Sequence, residues 1–400
     1  MGERLLTMDE VQARLLEAAQ AVGEHETLPA GEALGRVLAR PVVAVANVPP
    51  LDNAAMDGYA LNTADWAEGR WLRVSQRIAA GSVGRPIAPG EAARIFTGAP
   101  IPPGANAVAM QEDCEARAGE VLIKRPPAAG DHIRRAGEDM AAGQVVLAAG
   151  ERLDPARLGV AAAAGAAELS VYRRLRVAVF FTGDELVTPG QPLKPGQIYN
   201  SNRATLTALL QGLGCELRDL GQVPDDLAAT VAALERARRE ADVVITSGGV
   251  SVGEEDHVKA AVERLGHIDL WRVAMKPGKP LVYGRVGEAD FLGLPGNPVS
   301  AFVVFCLFVR PFLLKRMGAS PRPPLRFQVP AAFTWNKPGN RREFLRARLD
   351  ADGRATLHPN QSSGVLSSVA WADGLVDIDI GQTVAPGEMV PFIPLSELLA

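Results

Sequence analysis

The alternation of apolar and polar positions is most regular between Arg176 and about Lys315. Short apolar runs alternate there with segments in which apolar residues recur at helical spacing. The predicted strands are Val177–Phe181, Glu216–Leu220, Val243–Thr246 and Phe291–Leu294, and the predicted helices are Ala204–Gly212, Leu227–Glu240 and Val258–Leu265. This order favours βαβ units around a parallel sheet that is buried on both faces.

The chain on either side follows other patterns. Residues from about 5 to 45 are predicted to be helical, ending near Pro41, and Pro155–Leu169 is predicted to return to helix. Between them lie β-type runs separated by Gly/Pro turns, namely Trp71–Val74, Ala93–Phe96, Val121–Lys124 and Val145–Leu147. After the proline cluster Pro321–Pro324 the β-type runs are Phe327–Phe333, Glu343–Leu349 and Ala355–His358.

These changes of pattern predict a multidomain α/β and β protein, since 400 residues exceed one ordinary core. We expect a helical domain from residues 1–46 plus 151–175, an inserted β-rich domain at 47–150, an α/β domain at 176–318, and a terminal β domain at 325–400.

Composition and charge exclude several classes of protein. The net charge of −4 and a pI near 5.9 argue against a basic nucleic-acid surface. The three cysteines are far apart, so neither a disulfide framework nor a zinc site is expected. The apolar stretch Ala301–Leu314 contains Arg310 and Pro311 and is too short to span a bilayer, which favours a buried helix. We therefore expect no membrane, no signal peptide and a cytoplasmic location.

Three predicted strands are followed by loops rich in glycine and polar residues. The loops are Thr182–Leu186, Ser247–Asp256 and Pro295–Ser300, and the last leads into a helix with Asn297 as N-cap and Pro298 in the first turn. Ligands of open parallel sheets bind at the carboxyl ends of the strands. Glycines and a helix N-terminus present N–H groups to an anion. Three such loops predict a site for a phosphate-bearing or pterin-like ligand.

Charged residues accompany these loops. Lys276 and Lys279 lie on a proline-stiffened loop, MKPGKP, which is suited to a compact anion. The acids in or near strand-end loops are Asp184, Glu185, Asp225, Asp226, Glu254, Glu255 and Asp256. Carboxylates beside a phosphate site usually hold Mg²⁺ or position a water, although Glu255 is interpreted as ordinary surface. The five histidines show no metal-ligand or catalytic spacing.

Ordered motifs along the chain resemble the molybdopterin molybdenumtransferase (MoeA) family, which includes the E domain of gephyrin. They are PPLDNAAMDGYA, RIFTGAPIPPGANAV followed by Gln111-Glu112, RRAGED, FTGDEL, IYNSN, DVVITSGGVSVGEED, MKPGKP, GLPGNPVSA, GNRREFLRARL and NQSSGVLSS. The resemblance covers essentially the whole chain.

The resemblance implies an activity and an assembly. Family members insert molybdate into adenylated molybdopterin, release AMP and yield molybdenum cofactor, with Mg²⁺ or a similar ion supporting cleavage. It also implies an elongated helical domain, a C-terminal β-barrel-like domain, and a homodimer with the site between subunits. The expected protein partners are the adenylating enzyme of the same pathway and apo-molybdoenzymes or cofactor-maturation proteins.

The resemblance also implies the site residues. Asp57, Thr97, Asp139, Glu185, Asp225 and Asp256 fall on the family's catalytic positions, with Glu185 and Asp256 as metal candidates and Asp57 and Asp139 reaching in from the partner subunit. The residues expected to bind the pterin, its phosphate or molybdate are Thr182, Gly183, Asp184, Ser247, Gly248, Gly249, Ser251, Lys276, Lys279, Pro295, Gly296, Asn297, Pro298, Arg342 and Ser363. Other arginines of Arg341–Arg346, and Ser362 instead of Ser363, remain alternatives for the oxyanion pocket.

Three other functions are weighed against insertion. An adenylating enzyme of the related α/β fold typically carries a TSGGTG-type loop, whereas this chain has TSGGVSVG and additional domains. A receptor-clustering scaffold would be expected to carry a fused adenylating domain or a long linker. A generic nucleotide-binding regulator leaves Lys276, Lys279 and the acidic loops unexplained. Tungstate in place of molybdate stays open.

Overall fold

The computed structural model describes residues 5–249, 257–320 and 322–399. The chain divides into two units by its internal contacts. The first unit consists of Met1–Glu26, Gly35–Ala39 and Val171–Ala400, and the second of Thr27–Leu34 and Arg40–Ser170. The division into four domains stays a prediction.

The described residues form nine helices, four of which begin after a residue whose side chain caps them. They are α1 (Met8–Ala18), α2 (Pro155–Ala163), α3 (Ser201–Gly212), α4 (Leu227–Glu240), α5 (His257–Leu265), α6 (Pro298–Val304), α7 (Arg310–Arg316), α8 (Ser367–Trp371) and α9 (Leu395–Leu399). Thr7 and Glu10 form a capping box at α1, and Asp226 caps α4 by accepting from the Ala229 N–H. Helix α4 matches the predicted bounds residue for residue.

Short strands dominate the first 175 residues. They are β1 (His25–Pro29), β2 (Val42–Val43), β3 (Asn53–Ala54), β4 (Gly58–Leu61), β5 (Trp71–Ile78), β6 (Glu91–Ile95), β7 (Ala107–Met110), β8 (Cys114–Arg117), β9 (Glu120–Ile123), β10 (Ile133–Arg134), β11 (Val145–Leu147) and β12 (Glu168–Tyr172). In the second unit, six of them form a sheet in the order β7-β4-β6-β5-β9-β8.

The remaining strands belong to the first unit. They are β13 (Arg176–Thr182), β14 (Leu186–Val187), β15 (Ile198–Tyr199), β16 (Glu216–Val223), β17 (Val243–Ser247), β18 (Gly266–Arg272), β19 (Met275–Lys276), β20 (Pro280–Val286), β21 (Ala289–Leu294), β22 (Phe327–Pro330), β23 (Arg342–Leu349), β24 (Ala355–Leu357), β25 (Gly374–Ile378) and β26 (Met389–Pro394).

The α/β sheet of the first unit has the order β16-β13-β17-β21-β20-β18. Its first four strands are parallel, whereas β20 and β18 are antiparallel to their neighbours. The prediction of a parallel sheet is therefore correct for the predicted strands and wrong for the far edge. Strand β18 was not predicted, and the tight chain reversal at Gly287 joins β20 to β21 as a hairpin.

Both faces of this sheet are buried because successive side chains of a strand point to opposite faces. Val177, Val179 and Phe181 pack with α1, α3 and the α6–α7 segment. Ala178 and Phe180 pack with α4 and α5 on the other face. This burial accounts for the near-continuous apolar character of β13.

A second sheet of the first unit contains most of the C-terminal segment. Its order is β19-β23-β25-β26-β22, with β24 paired to β23. Strand β19 runs parallel to β23, and Lys276 lies opposite Glu343. The first two residues of the MKPGKP motif are thereby joined to the terminal sheet.

The prediction of helix over residues 5 to 45 is wrong beyond α1. After Ala18 the described chain contains β1, a short 3₁₀ turn at Ala30–Glu32 and β2. Gly23 and Pro29 interrupt the helical pattern, and the ETLP run is extended because proline disfavours helix for the residue before it. The protein is thus a mixed α/β fold with many strands and few helices, more β-rich than predicted.

One helix of the described chain, Pro298–Arg316, is long and apolar enough to cross a membrane by length and composition alone. It comprises α6, a π-helical turn at Phe305–Val309 and α7. Its apolar window is 78% buried within the protein. The helix is therefore the core helix that the Ala301–Leu314 run predicted.

Candidate functional site

The strand-end loops of the α/β sheet line a pocket of about 920 Å³ in the first unit. The loops follow β13, β17 and β21, whose carboxyl ends share one edge of the sheet. Of the predicted residues, those that line the pocket are Thr182, Gly183, Glu185, Asp225, Ser247, Gly248, Gly249, Lys276, Lys279, Pro295, Gly296, Asn297, Pro298 and Ser363. Ser251 and Asp256 lie outside the described residues.

Two consecutive glycines allow the loop after β17 to approach the end of β13. Gly248 has φ +98°, and a Cβ there would lie 2.6 Å from the carbonyl oxygen of Thr182. A Cβ on Gly249 would lie 2.6 Å from Cγ2 of Val258. The backbone of this loop therefore forms part of the pocket wall, in the close approach that phosphate-binding loops require.

A polar network connects the loops after β17 and β21 through Asn202 of α3. Ser247 Oγ donates to the carbonyl of Pro295 at 2.9 Å, and Asn202 Nδ2 donates to Ser247 Oγ at 2.8 Å and to the carbonyl of Gly296 at 2.7 Å. Thr182 Oγ1 is buried at the pocket wall and has no hydrogen-bond partner within the described part of the chain. An unpaired buried hydroxyl is costly, so a ligand oxygen or amide here would complete its hydrogen bonding.

The N-terminus of α6 also faces the pocket. Asn297 is at the N-cap position and Pro298 in the first turn, as predicted, and both line the cavity. Val299 N–H donates to the carbonyl of Ser363 at 3.0 Å, which joins the start of the helix to the loop that contains Ser362 and Ser363. The positive end of the helix dipole thus adds to the attraction for an anion.

Within the described part of the chain, three cationic side chains line the pocket. Lys276 Nζ lies 3.0 Å from Oε2 of Glu343, whose side chain is only 6% exposed. Lys279 is exposed, and Arg341 donates to the carbonyl of Met275 at 3.4 Å. Lysine and arginine donors around one cavity are suited to a tetrahedral oxyanion or a diphosphate.

Glu185 and Asp225 are the predicted acids that line the pocket within the described residues. Asp184 is not on the wall, and its Oδ1 lies 3.5 Å from the backbone N of Asp225. No group of three or more His, Cys, Asp or Glu among the described residues is arranged to hold a metal. One or two carboxylates suffice for Mg²⁺ when substrate phosphates supply further ligands, so Glu185 and Asp225 fit that ion.

Arg342 was predicted to line the oxyanion pocket, but the structure places its side chain elsewhere. Its Nε and Nη2 each donate to a carboxylate oxygen of Asp377 at 2.6 Å, and this ion pair raises the pKa of Arg342. Of the two described arginines at this point, Arg341 rather than Arg342 lines the cavity. Arg341 precedes β23 and is free of its pairing, whereas Arg342 is inside the strand and is turned towards β25.

The predicted catalytic residues of the PPLDNAAMDGYA and RIFTGAP motifs meet in the second unit. Asp57 Oδ1 accepts from the Thr97 backbone N–H at 2.7 Å and from Thr97 Oγ1 at 2.8 Å. The hydrogen bond from the Thr97 backbone N–H is the main cause that lowers the pKa of Asp57, and the bond from the Thr97 hydroxyl lowers it further. Asp139 donates its backbone N–H to Val48 at 3.0 Å. The structure therefore joins Asp57 to Thr97 and places Asp139 in a separate turn.

Several pocket residues were not singled out from the sequence. Asn200 caps α3 through the Arg203 N–H at 3.0 Å and lines the cavity with Asn202. Both belong to the IYNSN motif, which was the available signal. Gln361 also lines the cavity and lies within the quoted NQSSGVLSS motif, whereas Arg341, another lining residue, was already an alternative for the oxyanion pocket.

Comparison with known proteins covers nearly the entire chain. Residues 6–165 match the MoeA N-terminal region (domain I and II), residues 178–315 a probable molybdopterin binding domain, and residues 328–395 the MoeA C-terminal region (domain IV). A molybdopterin molybdenumtransferase of Haemophilus influenzae is 39% identical, spanning 99% of this chain and 100% of that protein.

Two further relatives agree with this match. Molybdopterin molybdenumtransferase 2 of Mycobacterium tuberculosis is 41% identical, with 92% of this chain and 93% of that protein covered. The crystal structure of a molybdopterin biosynthesis MoeA protein from Pyrococcus horikoshii OT3 has a TM-score of 0.85 and 30% identity, covering 98% of this chain and 100% of that one. Because these matches run in order through both units, this chain belongs to the molybdopterin molybdenumtransferase (MoeA) family.

Proposed function

We propose that this chain inserts molybdenum from molybdate into adenylated molybdopterin, with release of AMP, to give molybdenum cofactor. The proposal is carried by one observation: one pocket of about 920 Å³ combines a glycine-rich anion cradle with three cations and two carboxylates of the described residues. Its volume suits a large ligand that bears phosphate groups. Membership of the molybdopterin molybdenumtransferase family identifies adenylated molybdopterin and molybdate as the ligands that this combination of groups would bind.

The pocket divides into two parts by chemistry. The loops after β13, β17 and β21, with the first turn of α6, form a cradle for the pterin and its phosphate groups. Lys276, Lys279 and Arg341, with Ser363, form a cationic part for molybdate or the diphosphate. The two ligands would thereby be held side by side, which replaces a bimolecular encounter with a prearranged one.

Mg²⁺ is the metal that we propose for phosphoanhydride cleavage. Glu185 and Asp225, on the wall of the pocket, would hold it with the substrate phosphates, and Asp256 is the further candidate from its motif. When bound, the ion would neutralise charge that develops on the phosphate oxygens as AMP leaves. With the ion bound, the lysines and Arg341 of the pocket would orient the anions, and Glu185 and Asp225 would position a water.

We propose that the protein acts as a cytoplasmic homodimer, in which Asp57, Thr97 and Asp139 complete the site from the partner subunit. The support is the family resemblance, together with the Asp57–Thr97 contact, which holds that carboxylate in one orientation. The proposed protein partners are the adenylating enzyme that supplies the substrate and the apo-molybdoenzymes or maturation proteins that accept the product.

Single-turnover release of AMP from adenylated molybdopterin tests this function. With Mg²⁺ present, we expect AMP release to depend on molybdate and the product to reconstitute an apo-molybdoenzyme. Tight adenylate binding without cleavage would indicate a carrier or a scaffold. Formation of the adenylate from ATP and molybdopterin would instead indicate that the chain is an adenylating enzyme. Replacing molybdate with tungstate in the same assay would determine the preferred oxyanion.

A further inference from the structure

Asp52 precedes a short strand, β3, that lies between two other segments of the second unit. The Asp52 carbonyl accepts from the Ile101 N–H at 2.9 Å. Next along the chain, Ala54 N–H donates to the Ala99 carbonyl at 2.9 Å. On its other side β3 pairs with β10. The PPLDNAAMDGYA motif is therefore held between the RIFTGAP and RRAGED motifs, and each of the three contains one of the residues proposed to complete the site.

The Asp52 carboxylate bonds to the RRAGED motif through both of its oxygens. Oδ1 accepts from the Ala136 N–H at 2.8 Å, and Oδ2 accepts from Arg135 Nη1 at 2.6 Å. The bond from Ala136 is the main cause that lowers the pKa of Asp52, so the carboxylate is charged at neutral pH. Because solvent screens the exposed Arg135 side chain, the charge-assisted bond from Ala136 is the stronger of the two contacts. Asp52 thereby fastens the start of the turn that leads to Asp139.

The two acids that the proposed function uses in this unit are bonded differently from Asp52. Asp57 accepts from Thr97 through Oδ1 alone, and Asp139 donates its backbone N–H to the Val48 carbonyl at 3.0 Å. Among the residues that the structure describes, Oδ2 of Asp57 and the carboxylate of Asp139 form no hydrogen bond. Both oxygens of Asp52 are thus occupied within the fold, whereas Asp57 and Asp139 have carboxylate oxygens free for a ligand.

We propose that Asp52 is a positioning residue, which holds the turn of Asp139 in register with Asp57 so that both carboxylates meet the ligand together. The inference rests on the proposed function, in which Asp57 and Asp139 complete the site. Gly137 N–H donates to the Pro49 carbonyl at 2.9 Å and holds the middle of the turn, and Asp52 holds its start.

This role predicts an effect on rate more than on affinity. The pterin, its phosphate groups and molybdate are proposed to bind in the pocket of the first unit, which Asp52 does not line. A displaced turn would leave those contacts intact and move a carboxylate away from the reacting atoms. Because a displacement of about 1 Å can slow a reaction roughly 100-fold, a small shift of the turn would be measurable.

Three variants separate this role from a general loss of stability. Asp52→Ala removes both hydrogen bonds, and Asp52→Asn keeps a neutral acceptor for the Ala136 N–H. Glu151→Ala is the matched control, because Glu151 also accepts from one backbone N–H, that of Ala148 at 2.7 Å, and from one arginine, Arg157 Nε at 2.7 Å. Glu151 belongs to the second unit, in a stretch that contains no predicted site residue.

We expect Asp52→Ala to slow single-turnover AMP release about 10- to 100-fold, while the affinities for adenylate and molybdate stay within about twofold. Amide hydrogen exchange over residues 133–140 should become faster, since the start of the turn loses its acceptor. Asp52→Asn should slow release about threefold, because a neutral acceptor is weaker than a charged one. Glu151→Ala should leave both the release rate and this exchange unchanged.

The inference is overturned if a folded Asp52→Ala releases AMP at the wild-type rate, or if release slows while exchange over residues 133–140 is unchanged. A loss of adenylate affinity as large as the loss of rate overturns it as well. A purely structural role would lower the unfolding temperature of Asp52→Ala and Glu151→Ala alike, with no effect on release well below that temperature. Should Asp52→Ala fail to fold, a folded Asp52→Asn with wild-type release overturns the inference instead.

Failure of the proposed function would give a different result. The wild-type chain would then show no molybdate-dependent AMP release, or Asp57→Ala would release AMP as fast as the wild type. If Asp57→Ala is slow and Asp52→Ala is not, only the positioning role of Asp52 is wrong.

Discussion

Gly248 is the residue at which local backbone geometry and the pocket are most closely linked. Its φ of +98° is unfavourable for a residue with a side chain, and a Cβ would lie 2.6 Å from the Thr182 carbonyl oxygen. We therefore expect Gly248→Ala to lower the free energy of unfolding by about 2–3 kcal/mol, from backbone strain plus overpacking. Adenylate binding should fall with it.

Gly353 provides the matched control, since its φ is +75° and nothing lies within 4 Å of a Cβ built there. We therefore expect Gly353→Ala to lower the free energy of unfolding by only about 1 kcal/mol, from the backbone conformation alone. Urea unfolding of both variants measures the difference. Equal losses for the two substitutions would show that the approach to Thr182 is not a constraint.

Lys279 tests the proposed division of the pocket. It is an exposed cation on the cavity wall and belongs to the cationic part. We expect Lys279→Ala to weaken molybdate binding roughly 10- to 100-fold, because a charge-assisted contact is lost, while adenylate binding is retained. Titration of each ligand by calorimetry measures both affinities.

The control for Lys279→Ala is Lys124→Ala, an exposed lysine of the second unit that lies 3.7 Å from Glu115. It should leave both affinities unchanged. An equal loss of molybdate and adenylate affinity in Lys279→Ala would contradict the division, since it would mean that one set of contacts serves both ligands.

At the scale of elements, Asp242 holds the start of the α/β sheet together just before β17. Its carboxylate accepts from Arg173 Nη1 at 2.7 Å and Nη2 at 2.9 Å, and from the backbone N–H and Nη2 of Arg176, each at 2.9 Å. Burial alone would raise the pKa of Asp242, but the hydrogen bonds from the two arginines outweigh it and lower the pKa. The β13 and β17 strands thus share a charged anchor at their amino ends.

We expect Asp242→Asn to lower the free energy of unfolding at neutral pH by about 3 kcal/mol, because two arginines lose a largely buried counter-charge. Since the folded pKa is lowered, this contribution is fully present above the unfolded pKa of about 4 and is lost as pH falls through the folded value. The difference between wild type and variant should therefore shrink below about pH 4.

Denaturant unfolding at pH 7 and at stepwise lower pH measures this difference. Asp352→Asn is the control, since Asp352 also contacts an arginine, Arg354, at 2.9 Å but is 73% exposed. Its effect should stay below about 0.5 kcal/mol. If the difference in free energy of unfolding between Asp242→Asn and wild type stays constant as the pH is lowered, the carboxylate charge is not its source.

At the scale of the whole molecule, the proposed dimer predicts that inactive variants complement one another. Lys279→Ala changes the pocket of one subunit, and Asp57→Ala changes the residue proposed to come from its partner. A mixed dimer would then contain one intact site and one doubly altered site. After co-refolding of equal amounts, we expect about a quarter of wild-type AMP release, because half of the dimers are mixed.

Each variant refolded alone is the control and should stay inactive. If the mixture shows no more activity than its components, Asp57 and Lys279 act within the same chain or not in the same site. Sedimentation of the wild-type chain at several concentrations tests the dimer independently of activity.

The sequence alone predicted much of the first unit and the chemistry of its pocket. The four parallel strands, α4 and the three glycine-rich loops follow from patterns that short segments carry by themselves, because strand and helix periodicities and turn residues act locally. Residues 19 to 45 were misassigned since apolar spacing suggested a helix while Gly23, Pro29 and the β-branched positions favoured extended chain. The antiparallel edge strand β18 lacked any comparable signal.

Only the tertiary structure decided which polar side chains of the terminal sheet face the pocket. Residues 343 to 347 of β23 are all buried, so alternation along the strand could not show which neighbours Glu343 and Arg346 meet. Glu343 lies opposite Lys276, which is 67 positions away, and Arg346 lies behind a loop 15 positions further on. The residue types and their spacing are properties of the sequence, whereas pairing, burial and counter-charge arise when distant segments pack together.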